Sequence, residues 1–174
     1  DYYIAKFDQS FNLTWFQHIG ISGNAYTNGG LSIDSEDNIY VTGSFPGSLY
    51  YTSTESIEST GSYDAFLAKY TSAGINSWAI NIAAGASIQL ANTIEIDNQG
   101  DILFSGIFVD SVNMNNDTTI YCDNAYKDYF YSKLNPDDGS VIWAKSLRSI
   151  NANKSGFIFT ITSASDHYIL SGVF

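Results

Sequence analysis

The sequence predicts an all-β fold made of repeated four-stranded antiparallel sheets, and two observations support this prediction. The first is composition: of 174 residues, 16% are aromatic, with 13 Tyr and 11 Phe, and Ser, Thr and Asn are abundant. Such a mixture favours strands and turns over helices. The second is a set of landmark residues that recurs along the chain at a nearly constant spacing. The sequence has no capped helical period.

The landmarks have the same order in each repeat. An Asp precedes an apolar run, a Lys follows it, a Trp comes next, and a Gly-x-Phe closes the unit. The offset between the first and second repeat is 63 residues for all four landmarks, which indicates a true repeat. We therefore treat 1–174 as a single segment with sequence repeats 1–63, 64–127 and 128–174. The structural repeat positions are Asp1, Lys6, Trp15, Gly43, Phe45, Asp64, Lys69, Trp78, Gly106, Phe108, Asp128, Lys133, Trp143, Gly172 and Phe174.

Each repeat contains two predicted hairpins. In the second repeat, AFLAKY and INSWAINI flank the turn TSAG, and ANTIEI and ILFSGIF flank the turn DNQGD. Asn, Asp, Ser and Gly are the residues that tight connections between strands require. Four short strands per repeat predict a β-propeller blade or a comparable β-repeat. The variable stretches between each Gly-x-Phe and the next Asp are expected to form long loops or irregular extra strands.

The landmark pattern resembles the seven-bladed β-propeller repeat (SBBP-type) of secreted bacterial proteins. DAFLAKYTSAGINSW (64–78) and LSIDSEDNIYVTGSF (31–45) carry the resemblance best, and it covers essentially the whole chain. It implies an exported, extracellular or cell-surface bacterial protein. In the third repeat, we align Thr162 with Asp34 and Asp97, and we expect a longer turn there.

The resemblance also implies that a blade straddles two sequence repeats. The chain then comprises half a blade, two full blades and half a blade, or about three blades' worth of strands. Three blades are too few for a ring of the usual four to eight. We expect a fragment of a larger propeller, with association of several copies as the alternative. Half-blades at both ends expose unpaired strand edges, which invite association.

The recurrent lysine and tryptophan are predicted to be structural. A lysine in a strand covered on both faces can lay its methylene stem on a neighbouring sheet while its ammonium reaches outward. Asp34 and Asp97 are candidate acidic partners. The alternative is a ring of lysines that binds an anion in a central channel, which the net charge of −11 disfavours. The tryptophans are expected to cover the blade core from the fourth strand, with a sugar-stacking platform as the alternative.

The acidic turns offer weak candidates for a calcium site. Calcium takes carboxylate and carbonyl oxygens from such loops, and the candidates are Asp34, Asp37, Asp97 and Asp101. Turn chemistry alone also explains these residues. We predict no other cofactor.

No catalytic site is predicted from the sequence. Cys122 lacks a paired histidine signature, and His18 and His167 lie at non-equivalent places with surface or edge roles expected. The net charge of −11 argues against nucleic acid and anionic membranes as main partners, because both attract positive charge. No apolar run is long enough for membrane insertion.

Three functional hypotheses remain. The leading one is a non-catalytic scaffold or adhesion surface whose variable loops bind a protein or glycan partner, since loops carry binding on rigid scaffolds. The second is a carbohydrate-binding propeller that uses loop aromatics such as Tyr50 and Tyr51. The third is part of a quinoprotein-like propeller enzyme, because DGSVIWAKSL (138–147) resembles the Gly-x-x-x-Trp repeat of that class.

Overall fold

The computed structural model describes residues 1–122, 127–147, 157–163 and 167–173. These residues form strands and turns but no helix, so they include no helical element that could cross a membrane. The repeat position Phe174 lies outside the described residues. In chain order the strands are β1 (Tyr2–Phe7), β2 (Leu13–Ile21), β3 (Tyr26–Ile33), β4 (Ile39–Phe45), β5 (Ser48–Tyr50), β6 (Ser56–Glu58), β7 (Asp64–Tyr70), β8 (Asn76–Ala84), β9 (Gln89–Ile96), β10 (Ile102–Val109), β11 (Ser111–Met114), β12 (Thr118–Tyr121), β13 (Lys127–Leu134), β14 (Val141–Leu147), β15 (Phe157–Ser163) and β16 (Tyr168–Val173).

Two complete four-stranded antiparallel blades form the centre of the chain. The first has the order β3-β4-β7-β8 and the second has the order β9-β10-β13-β14. In each blade the first hairpin comes from one sequence repeat and the second hairpin comes from the next. The predicted all-β, propeller-like fold class is confirmed, and the blades straddle the repeats as expected.

Two further hairpins have the character of half-blades. β1 and β2 pair as the third and fourth strands of a blade, and β15 and β16 pair as the first and second strands. Thr162 pairs with Ile169 inside the β15–β16 hairpin, whereas Asp34 and Asp97 follow the last paired residues of β3 and β9. The alignment of Thr162 with these aspartates is therefore wrong, because this turn is one residue shorter than theirs and not longer. Their true counterpart is residue 164, which lies outside the described residues.

The variable stretches form hairpins that extend the preceding sheet. The β5–β6 hairpin follows β4 in the chain, yet β5 pairs with β2, where Gly20 lies opposite Tyr50. The β11–β12 hairpin follows β10, yet β11 pairs with β8, where Asn113 lies opposite Ala84. The resulting sheet orders are β1-β2-β5-β6 and β12-β11-β8-β7-β4-β3. Each inserted hairpin therefore adds two strands to the preceding sheet of the array, at the edge formed by its fourth strand.

The hydrophobic core lies between neighbouring sheets. The second strands β4 and β10 are buried along nearly their whole length, because both of their faces are covered. One core cluster joins the two complete blades and includes Leu67 and Phe104. A second cluster, which includes Ile19, Phe45 and Leu49, joins the first half-blade and its inserted hairpin to the first complete blade. The sheets therefore pack as a continuous array.

Candidate functional site

The repeated lysine and tryptophan lie opposite each other on the third and fourth strands of each unit. A register shift follows each lysine, and such a β-bulge re-aims the side chains beside it. All three units therefore present both side chains next to the turn that joins these two strands. The opposing pairs are Lys6 with Trp15, Lys69 with Trp78, and Lys133 with Trp143.

Two of the three lysines reach the turn between the third and fourth strands of the next blade. Nζ of Lys6 donates a hydrogen bond to the carbonyl oxygen of Ser72 at 3.0 Å, and Nε1 of Trp15 donates to the same oxygen at 3.2 Å. Nζ of Lys69 donates to the carbonyl oxygen of Pro136 at 3.1 Å. Ser72 and Pro136 both follow a third strand, in the turns of the next blades. These ammonium groups therefore link adjacent blades.

Glycines in the same turns make room for side chains of the preceding sheet, Trp15 in one case and Ile80 in the other. A Cβ atom at Gly74 would lie 2.9 Å from the Trp15 ring, and one at Gly139 would collide with Ile80 and lie 3.6 Å from the Trp78 ring. Both glycines have a positive φ, 79° and 72°, which L-residues adopt only with strain. The joint between blades thus depends on a glycine as well as on a lysine and a tryptophan.

The third lysine, Lys133, is held by the first turn of its own blade, and it also donates to the hydroxyl of Tyr168 in the β15–β16 hairpin at 3.4 Å. Its Nζ lies 2.9 Å from Oδ2 of Asp97, 2.8 Å from Oδ2 of Asp101 and 2.8 Å from Oε1 of Gln99. The side chain of Lys133 is 7% exposed and that of Asp97 is 1% exposed. Burial would lower the pKa of Lys133, but the hydrogen bonds to Asp101 and Asp97 outweigh it and raise the pKa. The ammonium therefore serves as the cation of this acidic turn.

The other calcium candidates, Asp34 and Asp37, belong to a tight turn. Oδ1 of Asp34 accepts the backbone N–H groups of Glu36 and Asn38, both at 2.9 Å. Its Oδ2 accepts Nδ2 of Asn38 at 3.0 Å and the hydroxyl of Tyr40 at 3.2 Å. Burial opposes ionisation of Asp34, but these bonds outweigh it and lower its pKa. Among the described residues, no three His, Cys, Asp or Glu side chains are grouped to hold a metal ion.

The aspartates that open the first two repeats bind the fourth strand of their own units. Asp1 accepts the N–H of Ile21 at 2.9 Å and lies 3.0 Å from Nε2 of His18. Asp64 accepts Nδ2 of Asn81 at 2.6 Å. His18 and Asn81 are 63 residues apart, so they occupy equivalent positions in the two repeats.

The repeated Gly-x-Phe lies on the second strand. A Cβ atom at Gly43 would lie 2.8 Å from the ring of Phe66, and one at Gly106 would collide with the ring of Phe130. The glycine therefore lets an aromatic ring of the third strand pack directly on the backbone of the second. Other buried repeat positions are Phe45, Phe108 and Asp128. Gly172 lies at the corresponding place in β16.

The remaining candidates are placed as follows. Cys122 is a half-buried cysteine that packs against the first core cluster, and His167 is exposed. The stretch 138–147 forms a turn and β14. Its Trp143 makes edge contacts with the rings of Tyr131 and Tyr168, with centroids 5.8 and 5.3 Å apart.

A groove on the first half-blade presents aromatic side chains to solvent. It lies between β2 and the turn of the β5–β6 hairpin and has a volume of about 540 Å³. Phe16 is 53% exposed and Tyr50 is 48% exposed. Tyr3 extends this surface, because its ring stacks on that of Phe16 at 5.9 Å with an interplanar angle of 18°. We call it the aromatic groove, lined by Phe16, Gln17, His18, Gly20, Tyr50, Tyr51, Thr52 and Ser53.

The wall of the aromatic groove is an ordered turn. Tyr51 donates its N–H to the carbonyl oxygen of Glu55 at 3.2 Å, and Oγ1 of Thr52 accepts the N–H of Glu55 at 3.0 Å. Tyr51 packs against the second core cluster, whereas Tyr50 is exposed. Burial, with the nearby Glu55 carboxylate, raises the pKa of Tyr51. The two tyrosines that we grouped from the sequence therefore differ: Tyr50 offers a free ring face, and Tyr51 anchors the turn.

The aromatic groove combines flat apolar rings with polar groups. Such a combination binds ligands that have both an apolar face and hydrogen-bonding groups. The imidazole of His18 is 57% exposed, and Gln17, Thr52 and Ser53 add an amide and two hydroxyl groups. Phe16, His18 and Gly20 alternate along β2, so they share one face of the strand.

Comparison with known proteins agrees with this architecture. No protein-family model matches the chain. The chain is 29% identical over 119 residues to an uncharacterised WD repeat-containing protein of Acanthamoeba polyphaga mimivirus. The likeness indicates a β-propeller repeat type. The match covers 61% of this chain but only 8% of the length of that protein.

Proposed function

We propose that this chain is a non-catalytic propeller segment of an exported or cell-surface bacterial protein, and that it serves as a scaffold for binding. The landmark pattern resembles the secreted seven-bladed repeat type, and the WD repeat relative supports an interaction scaffold. The strongly negative charge fits a role away from nucleic acid.

The main support for this proposal is that the contacts between adjacent blades recur along the chain, whereas the inserted hairpins differ. The lysine, the tryptophan and the turn that they contact recur from blade to blade. The inserted hairpins 48–58 and 111–121 occupy equivalent places but differ in sequence. A rigid array with differing exposed insertions is the arrangement by which scaffolds present binding surfaces.

Surface labelling tests the location. An antibody raised against the chain is applied to intact and to lysed cells of the organism that encodes it, with a cytoplasmic protein as the control for leakage. We expect the antibody to label intact cells or to find the protein in the medium. If the antibody labels the chain only after lysis, as it does the cytoplasmic control, the proposal that the protein is exported is wrong.

We propose carbohydrate as the class of ligand that suits the aromatic groove. The apolar face of a pyranose stacks on an aromatic ring, and its hydroxyl groups need donors and acceptors at the rim. Tyr50 and Phe16 supply exposed rings, and His18 supplies an exposed imidazole on the same side of β2. The ordered turn at Tyr51 keeps this surface in place, which lowers the entropic cost of binding.

Affinity electrophoresis through gels that contain a panel of soluble polysaccharides tests the groove. We expect at least one polysaccharide to retard the chain, and Tyr50→Ala to weaken that retardation about tenfold or more. Tyr121→Ala is the matched control, because Tyr121 is an exposed tyrosine on the equivalent hairpin. Equal loss in both variants, or no retardation in any gel, would rule out this site.

A further inference from the structure

The outer strand β12 of the second inserted hairpin has an edge with which no other described strand pairs. It forms the end of the sheet β12-β11-β8-β7-β4-β3. The N–H of Cys122 donates to the carbonyl oxygen of Asp110 at 2.8 Å, and Ser111 lies opposite Tyr121. Because bonded and non-bonded pairs alternate in an antiparallel ladder, the N–H and C=O groups of Thr119 and Tyr121 point away from β11. Within the described residues, these backbone groups make no hydrogen bond to a loop or a side chain.

The outer strand of the first inserted hairpin, β6, is blunted at the equivalent place. The carbonyl oxygen of Glu58 accepts Nδ2 of Asn81 at 3.1 Å, and Glu58 corresponds to Tyr121 in β12. Ser146 occupies the position of Asn81 in the following blade, and its side chain is shorter. In addition, β6 has three residues, SIE, with a charge, whereas β12 has four residues, TTIY, without charge or proline. Short strands and charges keep edges from pairing, so β12 lacks the protection that β6 has.

The open edge of β12 is a property of the inserted hairpin and is held in a fixed place. β6 is likewise the outermost strand of its sheet, although complete blades follow it in the array. In the second hairpin, β11 pairs with β8, and the N–H of Asn115 donates to the carbonyl oxygen of Ile82 at 2.9 Å. Ile120 packs against the first core cluster, whereas Tyr121 on the opposite face of β12 is 72% exposed. An edge that is already ordered binds at a lower entropic cost.

Acidic side chains surround this edge. The exposed carboxylates around the hairpin are those of Asp110, Asp117, Asp137 and Asp138. The last two belong to the turn that Asn115 reaches, where its Nδ2 donates to the carbonyl oxygen of Gly139 at 3.4 Å. The exposed lysines of the neighbouring strands, Lys127 and Lys145, leave the region acidic, and the whole chain has a net charge of −11. A second copy would bring the same carboxylates to the edge and be repelled, whereas a basic segment would be attracted.

We propose that the edge of β12 binds an extended, basic segment of a partner protein, which adds a strand to the sheet. The outward N–H and C=O groups of Thr119 and Tyr121 pair with the backbone of that segment, and these main-chain hydrogen bonds supply affinity. Lysine or arginine side chains at alternate positions of the segment reach the surrounding carboxylates and provide the selection. This inference rests on the proposed role as a scaffold for binding, and it names the partner that one inserted hairpin takes.

Backbone amide exchange, measured by NMR with three synthetic octapeptides, tests the pairing. One peptide alternates Lys and Val, the second alternates Glu and Val, and the third alternates Lys and Pro, which keeps the charge but removes every second N–H. We expect the Lys-Val peptide at millimolar concentration to slow exchange of the Thr119 and Tyr121 N–H groups about tenfold or more. Exchange of the Ile120 N–H, which faces β11, should stay unchanged. The other two peptides should have no effect.

Each other result of the exchange experiment would overturn a stated part of the proposal. Equal slowing by the Lys-Pro peptide would overturn strand pairing, and equal slowing by the Glu-Val peptide would overturn the preference for a basic segment. No slowing with any peptide would overturn the docking edge. Slowing that appears without peptide as the protein concentration rises would assign the edge to a second copy instead. Surface labelling and polysaccharide retardation do not involve β12, so failure of the docking edge is distinguishable from failure of the proposed function.

A proline on the edge tests the site within the chain. Thr119→Pro removes an outward N–H, and proline is tolerated where the N–H of an edge strand faces away from the sheet. We expect this variant to bind the Lys-Val peptide about tenfold more weakly. Ser56→Pro is the matched control, because Ser56 points outward in β6, and it should bind the peptide as the unaltered chain does. Equal binding by both variants would exclude the edge of β12. The peptide comparison uses the unaltered chain, so it decides the proposal even if Thr119→Pro opens the hairpin.

Discussion

Replacing Lys133 by Met should destabilise the chain by about 3 kcal/mol at neutral pH. Met keeps the apolar stem of the side chain but removes the ammonium that Asp97 and Asp101 contact at 2.9 and 2.8 Å. Removing one partner of a buried ion pair costs about 3–5 kcal/mol, because the other charge stays buried and uncompensated. The lower end of this range applies to Lys133→Met, for two reasons. Oδ1 of Asp97 keeps two backbone hydrogen bonds at 2.9 Å, and Asp101 is 26% exposed.

Urea denaturation followed by tryptophan fluorescence measures this loss, at a fixed protein concentration. In thermal unfolding, a loss of 3 kcal/mol corresponds to a fall in Tm of about 6–12 °C for a chain of this size. Lys145→Met is the control, because Lys145 is exposed and lies 5.9 Å over the Trp143 ring. The control should lose at most about 1 kcal/mol. Equal losses in the two variants would refute the view that the ammonium compensates a buried acidic turn.

A double-mutant cycle separates the charge from the packing. Asp97→Asn added to Lys133→Met should recover part of the loss, because the amide carries no uncompensated charge. The pKa of Lys133 is raised from 10.5 in the folded chain. Its contribution is therefore fully present below pH 10.5 and is lost only as the pH rises through the higher folded value. From pH 7 to pH 10 the difference between wild type and Lys133→Met should stay constant, which titrations of stability at several pH values will check.

Two further predictions concern the second strands and the acidic turns. Gly106→Ala should lower the free energy of unfolding by about 3 kcal/mol, measured by urea denaturation, because its Cβ would collide with the Phe130 ring. Gly100→Ala is the control: Gly100 has φ 89° but open space around it, so this variant should lose only about 1 kcal/mol. Similar losses in the two variants would refute the packing argument. The pKa of Asp34 is lowered from 3.8 by hydrogen bonds that include those from Asn38, so its contribution is present above about pH 4 and is lost as the pH falls through the folded value. Asp34→Asn should lower stability at pH 7 but reduce its fall between pH 4 and pH 2, and parallel curves for variant and wild type would contradict this.

The repeat spacing predicted the blades because the landmark residues make local contacts that every unit needs. The lysine lies opposite the tryptophan in each third and fourth strand, and the glycine lies under an aromatic ring in each complete blade. Both features recur at one offset and are visible without a structure. His18 and Asn81 occupy equivalent positions, but only the structure shows that they contact Asp1 and Asp64. The error at Thr162 arose because a turn changed its length, which spacing alone does not show.

The partners of the lysines and of the inserted hairpins could not be read from the sequence. Lys6 and Lys69 bind backbone carbonyl oxygens in the next blade, and a carbonyl oxygen leaves no signature in a side-chain pattern. The hairpins bind an edge that is distant in sequence, through a few residue pairs such as Gly20 with Tyr50. Strands of three or four residues have too little pattern to reveal their register. The aromatic groove depends on that pairing, so it was not predictable as a site.

The fourth strands β2 and β8 are each tied to the next blade at both of their ends, and this has a consequence for unfolding. At one end of β2, Trp15 donates to the turn at Ser72. At the other end, Gly20 pairs with the β5–β6 hairpin, which is inserted between the second and third strands of the next blade. The strand β8 repeats the scheme, with Gly139 packed near its tryptophan and the β11–β12 hairpin on its edge. In repeat arrays, cooperativity grows with the strength of the interface between neighbours relative to the stability of each unit. Two attachments at each of these two joints favour cooperative unfolding of the sheets that they connect. A substitution at one joint, such as the loss of the Lys6 ammonium, therefore lowers the stability of these sheets together.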